Sequence, residues 1–437
     1  MENENEFCAR EKKDKKTAVL LILLTTAVYA LSNVGRKSYD ANINEIMSFF
    51  SVSKEAAGLA GTFFFVSYGI GQVVHGLLCT KYNPKYSILL AAITGAFCNL
   101  ILAVLPQSAF SAVKFVWCVN GFSQAALWSS TVLIFKDKLA SRYSALALFI
   151  MCFPNSVGTF LAYGLSSLFS YLGVFRLIFY VAFGGLAAIS AVWILTYDKL
   201  TAKNLESKAF YDGADGFSVA DDKKNGEKAK KKNVTVGFIY MFALMSLLAV
   251  INNFVKDGLT TWTPTFLKER FGLENWFSVL LTLLLPIAAL FGSALSIAMN
   301  KKIKDFVLLS GVLYLVSAAA MGIFVAFCEP GGVILAVACF TITACLMAGV
   351  NNVVTAIFPM YSKSGVNAGF VAGITDGFCY LGSALSSYGF GVIADNFGWN
   401  AVISTIFYSL AAATVLCVLC FYLGKVVKKR KKTKNEE

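Results

Sequence analysis

The chain has 437 residues, of which 57% are hydrophobic and 14% charged, and it carries a net charge of +13. Its apolar residues fall in blocks long enough to cross a hydrocarbon core of about 30 Å at 1.5 Å per residue, which excludes a soluble globular domain. The basic excess does not point to nucleic acid either, because 30 of the 38 Lys and Arg lie in the tails and in loops on one side of those blocks.

Taken in order, a basic tail over 1–16 precedes span 1 at 17–40. The run Arg10–Lys16 followed by 17–32 imitates a secretory leader. The apolar stretch, however, continues to Arg36 without a small-residue cleavage site, so it reads as a retained span. Spans 2 to 6 follow near 56–80, 86–105, 110–135, 143–171 and 174–196. A polar insertion at 197–233 carries Asp212, Asp215, Asp221, Asp222 and the run Lys228–Lys232, a composition that cannot bury a core and reads as a linker. Spans 7 to 12 follow near 234–262, 275–298, 305–327, 333–358, 366–393 and 398–424, and a second basic tail covers 425–437. These segments lack the alternating pattern of barrel strands, so the fold class is an all-α membrane protein of twelve transmembrane helices in two six-helix bundles, 17–196 and 234–424. The basic loops place both termini and the linker in the cytoplasm, with the protein in the cell membrane. Pro154 and Pro286 are expected to kink their helices.

Two basic residues set deep in apolar sequence, Arg36 in span 1 and Lys256 in span 7, hold comparable places in the two halves. A charge inside a spanning helix costs roughly 3 kcal/mol on insertion scales, so it needs a partner or a ligand. Snorkelling to the outer interface is the plain alternative for both, and more so for Lys37 and Lys114. Tyr29, Asn33, Arg36 and Asp40 follow a spacing of four, three and four and share one face of span 1. Asn253, Lys256 and Thr260 form a comparable stripe on span 7, with Asp257 about 100° away. Four embedded cations, Arg36, Lys37, Lys114 and Lys256, face two clearly embedded acids, Asp257 and Asp376, with Asp40 at the boundary. That surplus attracts a small anion and disfavours a cation. Gln72 and His75, Asn120 and Gln124, Asn155, Asn351, Asn352 and Thr355, and Thr375 and Tyr380 either complete a pocket or bond across helices. Asp376 is a structural partner of a Lys or a proton carrier. The eleven Cys lie mostly within spans, without CxxC pairs, and read as packing residues. His75 is the only histidine, so no metal and no cofactor is expected. No Gly-rich phosphate loop, nucleophile elbow or paired carboxylates offer a catalytic site, and the chain does not read as an enzyme.

The halves echo each other in Asn33-Val-Gly-Arg36-Lys37 and Asn253-Phe-Val-Lys256-Asp257, as in the parallel repeat of major facilitators, where substrate binds between halves near the midplane. Gly76 to Lys85 approximates the loop after span 2 of that superfamily, with Thr80 in place of its acid. Within it, Lys256-Asp-Gly-Leu-Thr-Thr-Trp262-Thr-Pro264-Thr-Phe-Leu resembles a string of the organophosphate:phosphate antiporter family, which includes bacterial glycerol-3-phosphate and hexose-6-phosphate transporters. Arg36-Lys37, Gly121 to Trp128, Gly369 to Gly382 and Asp395-Asn-Phe-Gly398-Trp399 are similar to its other motifs. The resemblance implies that Arg36 and Lys256 hold phosphate, one from each half. It further implies a monomeric transporter exchanging an organic phosphate ester for inorganic phosphate by alternating access. This chain departs from the glycerol-phosphate branch: Gln72 stands for a Lys, Pro154 for a His beside Asn155, Lys256 for an Arg, and Asp257 is an unexpected acid. Two alternatives stay open, a proton-coupled symporter of an organic anion such as a sugar acid, titrating at Asp376 or Asp257, and a transport-poor sugar-phosphate sensor.

Overall fold

A computed structural model describes residues 2–78, 81–151, 153–214, 236–327, 332–361 and 368–436. All long elements in this range are helices. Spans 1, 2 and 3 are Glu2–Ala41, Lys54–Leu78 and Pro84–Val104. Span 4 is Phe110–Gln124 with Ala126–Lys138, and span 5 is Ser144–Ile150 with Pro154–Tyr171. Span 6 is Leu177–Ala214 and span 7 is Val236–Phe271. Span 8 is Asn275–Thr282 with Leu284–Lys302, and span 9 is Phe306–Phe327. Span 10 is Val333–Asn352, widened into a π turn at Val353–Ile357 and ending at Tyr361. Spans 11 and 12 lie within Ala368–Glu436, broken at Gly398, whose φ of 77° is a conformation that a side chain would strain.

Span 5 restarts with Pro154 at its first turn. Span 8 breaks at Leu283, where the Pro286 ring would crowd the carbonyl of Thr282. The helix that hydropathy ends at 196 runs on to Ala214, because its polar residues have partners. Asn204 donates to the carbonyl of Thr17, Asp212 accepts from the backbone and hydroxyl of Ser141, and Lys208 donates to the carbonyl of Lys136. The basic tail before span 1 is likewise helical, with Glu11 bonded to Arg142 and Arg10 lying 4.0 Å over Phe210. Residues 215–233 of the linker, with Lys228–Lys232, and Thr80 and Lys363 lie outside the described residues.

Within each half the same helix pairs meet: 1 with 5 and 7 with 11, 2 with 4 and 8 with 10, 3 with 6 and 9 with 12. Small residues let the backbones approach, as lipid-embedded packing requires. A Cβ on Gly158 of span 5 would lie 2.4 Å from Cβ of Asn33, and one on Gly382 of span 11 would lie 2.1 Å from the carbonyl oxygen of Val250. Gly292 is tighter still, 1.7 Å from the carbonyl oxygen of Cys345 on span 10. Gly292→Val should therefore cost roughly 1–3 kcal/mol and lower the melting temperature in detergent; an unchanged melting curve would contradict this packing. Large apolar side chains such as Phe115, Leu195 and Phe291 face outward around the molecule, the surface expected of a lipid-solvated protein.

An even number of spans puts both chain ends on one face, here termed terminal; the opposite face is distal. The two halves meet through spans 2 with 11 and 5 with 8. On the distal face Lys54 at the start of span 2 pairs with Glu269 at 3.1 Å and Asp395 at 3.4 Å. Asp395 also accepts from the backbone N–H of Glu55 at 2.8 Å, capping the positive end of that helix from the other half. Asn275 of span 8 bonds Asn44, Glu45 and Ser170, and Ser167 donates to the carbonyl of Trp276. Deeper, Thr62 donates to the Ala384 carbonyl and Tyr163 to the Thr260 carbonyl. Apolar packing is shared as well: Val279, Leu283 and Ala384 belong to a cluster with Tyr39, Ala60, Phe64 and Tyr68. The distal face is closed.

Candidate functional site

Below that closure, span 1 turns Arg36 toward spans 2 and 11. The residue is 9% exposed, and its Nε and Nη2 are enclosed without a hydrogen-bond partner. Both atoms lie on one edge of the guanidinium, the edge that grips two oxygens of a carboxylate or phosphate. Aromatic rings, not acids, surround it. The Arg36 carbon lies 5.4 Å from the ring centres of both Tyr29, seven residues earlier on the same helix, and Tyr68 of span 2. Tyr380 of span 11 packs on Tyr68 with ring centres 4.4 Å apart, bringing the second half into the site. The Tyr29 hydroxyl is near enough to interact with the guanidinium, but Nε and Nη2 make no hydrogen bond of good geometry, so ring faces hold the charge while that edge stays unsaturated. The buried Tyr68 hydroxyl also lacks a partner.

The other embedded cations are already paired. Lys37 donates to Asp40 at 2.9 Å, and Asp40 is buried, not at a boundary. Lys256 lies 3.6 Å from Asp257, whose other oxygen accepts from the Ser383 hydroxyl at 2.5 Å. Adjacent residues on a helix point about 100° apart, yet the long Lys stem folds back to its neighbour. Asp257 also lies within electrostatic reach of Lys37, so the two ion pairs adjoin across the halves. Asp376 of span 11, one turn before Tyr380, is half-buried and accepts from Gln72 of span 2 at 3.3 Å; no ion pair joins it. Lys114 sits elsewhere, half-buried near the distal end of span 4. Among the described residues three cations and three acids thus share the interior, and the positive surplus expected from sequence is reduced to balance, because Asp40 counts and Lys114 does not.

The remaining expected residues divide. Asn253 is buried beside Asn252, which reaches Asn351, and Asn351 meets Cys379. Asn155 is exposed at the start of the second segment of span 5. Asn33 donates to the Tyr29 carbonyl and packs on Gly158, a helix contact with span 5. Gln124 is fully buried, bonded to Asn120 and pressed against Gly95 of span 3. Asn352 donates to Ser293 and Ser296 of span 8. His75 meets the Phe122 carbonyl and ring within its own half.

Twelve helices in two repeated sets thus enclose a buried cation where the halves meet. The sequence profile described as Major Facilitator Superfamily matches residues 25–387. The chain belongs to that superfamily. A glycerol-3-phosphate transporter of Bacillus subtilis (strain 168) is 21% identical over 386 residues, 85% of each chain. The membrane sensor protein UhpC of Escherichia coli (strain K12) is 28% identical over 132 residues; that match spans 30% of this chain and 28% of the sensor's length. Among solved structures, a D-xylose-proton symporter superposes with a TM-score of 0.70 at 14% identity, over 91% of this chain and 95% of that one. A bacterial homologue of the human lysosomal transporter spinster gives 0.69 at 16% identity, over 92% and 95%. This major facilitator is therefore a multi-pass membrane protein of a transporter family, not an enzyme, with distant homology to organophosphate transporters.

In this major facilitator the strings that carry the resemblance build the distal closure as well as the site. Trp262 donates to the Ser387 carbonyl and packs on Trp399, while Trp399 packs on Phe266 and donates to Glu269, the partner of Lys54. Lys54 and Tyr68 stand outside the residues expected from the sequence. Tyr68 carried a usable signal, since it lies one turn from Gln72 on the same face of span 2.

Proposed function

We propose that the protein is a secondary transporter of an organic phosphate ester, exchanged for inorganic phosphate, working as a monomer in the cell membrane with its terminal face in the cytoplasm. The observation that carries this is the buried Arg36 fork, orphaned among Tyr29, Tyr68 and Tyr380 at the junction of the halves. A buried donor without a partner costs about 1–3 kcal/mol, an expense that an arriving anion removes. The similarity to a glycerol-3-phosphate transporter over 85% of each chain supports phosphate as that anion. With the distal face closed, the terminal side is the route by which the anion reaches Arg36. Binding across spans 1, 2 and 11 ties the halves together below the present closure and lets the distal contacts part. The anion shifts this balance only by binding the closed-over form more tightly than the open one.

Lys256, paired with Asp257, supports the site as a neighbour of Asp376 and is freed for the anion if Asp257 turns to Lys37. The expected result in proteoliposomes loaded with radioactive phosphate is efflux triggered by external phosphate and by a phosphate ester. Silence toward every ester, with carboxylate uptake under an imposed proton gradient, would replace this reading by symport through Asp376.

A further inference from the structure

Among the described residues the interior holds one cation and one acid left over from the ion pairs, linked through the packed rings of Tyr68 and Tyr380. Arg36 presents a free two-donor edge. Asp376 has Gln72 as its hydrogen-bond partner and no ion pair, and Lys256, whose field reaches it, is held by Asp257. Asp376 and Tyr380 are four residues apart, hence stacked on one face of span 11, and Tyr380 packs on Tyr68, the ring beside Arg36. A doubly charged anion with a purely hydroxylated body would satisfy the fork and leave Asp376 with Gln72 and no cationic partner. A molecule with a phosphate at one end and an ammonium at the other would satisfy both and carry one negative charge fewer into the charge-balanced interior.

We propose that the transported ester is an amino-bearing phosphate: its phosphate takes the Nε and Nη2 edge of Arg36, and its ammonium displaces Gln72 as the partner of Asp376. The proposal rests on the organophosphate reading for the anionic end and adds the second recognition element. Replacing the ammonium by a hydroxyl keeps a hydrogen bond to Asp376 but loses its charge. Charged hydrogen bonds are worth about 1.4 kcal/mol more than neutral ones, so the amino ester should be preferred about tenfold.

The test is displacement of radioactive phosphate from proteoliposomes by matched pairs: 2-aminoethyl phosphate against ethylene glycol phosphate, and glucosamine-6-phosphate against glucose-6-phosphate. The expected result is half-maximal displacement at about tenfold lower concentration for the amino member of at least one pair, with Asp376→Asn bringing that pair to equality. The ratio within a pair does not depend on the amount of active protein, and where Asp376→Asn fails to insert, the wild-type ratio alone decides. Phosphate exchange with equal displacement by both members of both pairs overturns the amino preference and leaves the organophosphate reading standing. No exchange of phosphate and no displacement by any ester overturns both.

Discussion

Arg36→Leu is expected to abolish phosphate exchange and to raise the melting temperature of the protein. Transport fails because the variant loses the fork that holds the anion; removing one partner of a buried charged pair costs about 2–5 kcal/mol, thirtyfold and upward in affinity. Stability rises because Nε and Nη2 have no partner in the unliganded protein, and Leu fills a comparable volume among Tyr29, Tyr68 and Tyr380 at no such penalty. A gain of about 2 °C or more, read by thermal unfolding in detergent, would show that this charge is kept for a ligand and not for the fold. Arg36→Lys separates the two effects: it keeps a cation between the rings but loses the paired N–H edge, so exchange should fall at least about tenfold while insertion is normal. A normal exchange rate in Arg36→Leu would remove Arg36 from the site.

Gly58→Leu is expected to hold the protein with its distal face open. The Cβ of any residue at 58 would lie 2.1 Å from the Ser387 carbonyl oxygen and 3.1 Å from the Trp262 ring, both in the other half. The near atom is backbone and cannot swing aside, so the halves must separate at spans 2 and 11. The contacts beside it would part with them: Ser387 to the Gly58 carbonyl, Asp395 to Glu55, and Lys54 to Glu269 and Asp395. Alternating access requires this face to close once per cycle, so exchange should be lost although Arg36 is intact. The measurement is the distance between spin labels at Ser53 and Arg270, both exposed at the distal face, after the eleven native cysteines are replaced. A longer distance than in the parent protein is the expected result; an unchanged distance with normal exchange would show that the distal contact is not a gate. Gly292→Val is the natural comparison, because its clash falls inside one half and should weaken that half without opening the face.

In the proposed cycle these two positions play different parts, and their chemistry differs accordingly. Arg36 is an uncompensated charge whose cost a bound anion would offset. The Gly58 and Lys54 region is the reverse, a fully satisfied contact whose bonds must be given up for the face to open. Lys54 alone meets two carboxylates, and Asp395 serves both that Lys and the Glu55 N–H at the start of span 2. Opening therefore costs several polar contacts together, which makes the distal closure a two-state element and not a graded one.

Twelve spans in a two-part order are legible in the amino acids alone, because a hydrocarbon core of fixed thickness leaves long apolar helices as the only way to satisfy the backbone. The sequence also singled out Arg36, Asp257 and Asp376, since a charge in an apolar block stands out whatever the fold. Helix ends were less legible: span 6 runs to Ala214 on polar contacts with Thr17, Lys136 and Ser141, which hydropathy does not register. Only the tertiary structure decided which charges are spent and which are free. Lys37 and Lys256 look like Arg36 in a one-dimensional census, but ion pairing at 2.9 and 3.6 Å depends on side-chain reach within and between helices, and it leaves the guanidinium alone with a free edge. Lys54 and Glu269 come into view for the same reason, because contacts between the halves join residues hundreds of positions apart and carry no local pattern.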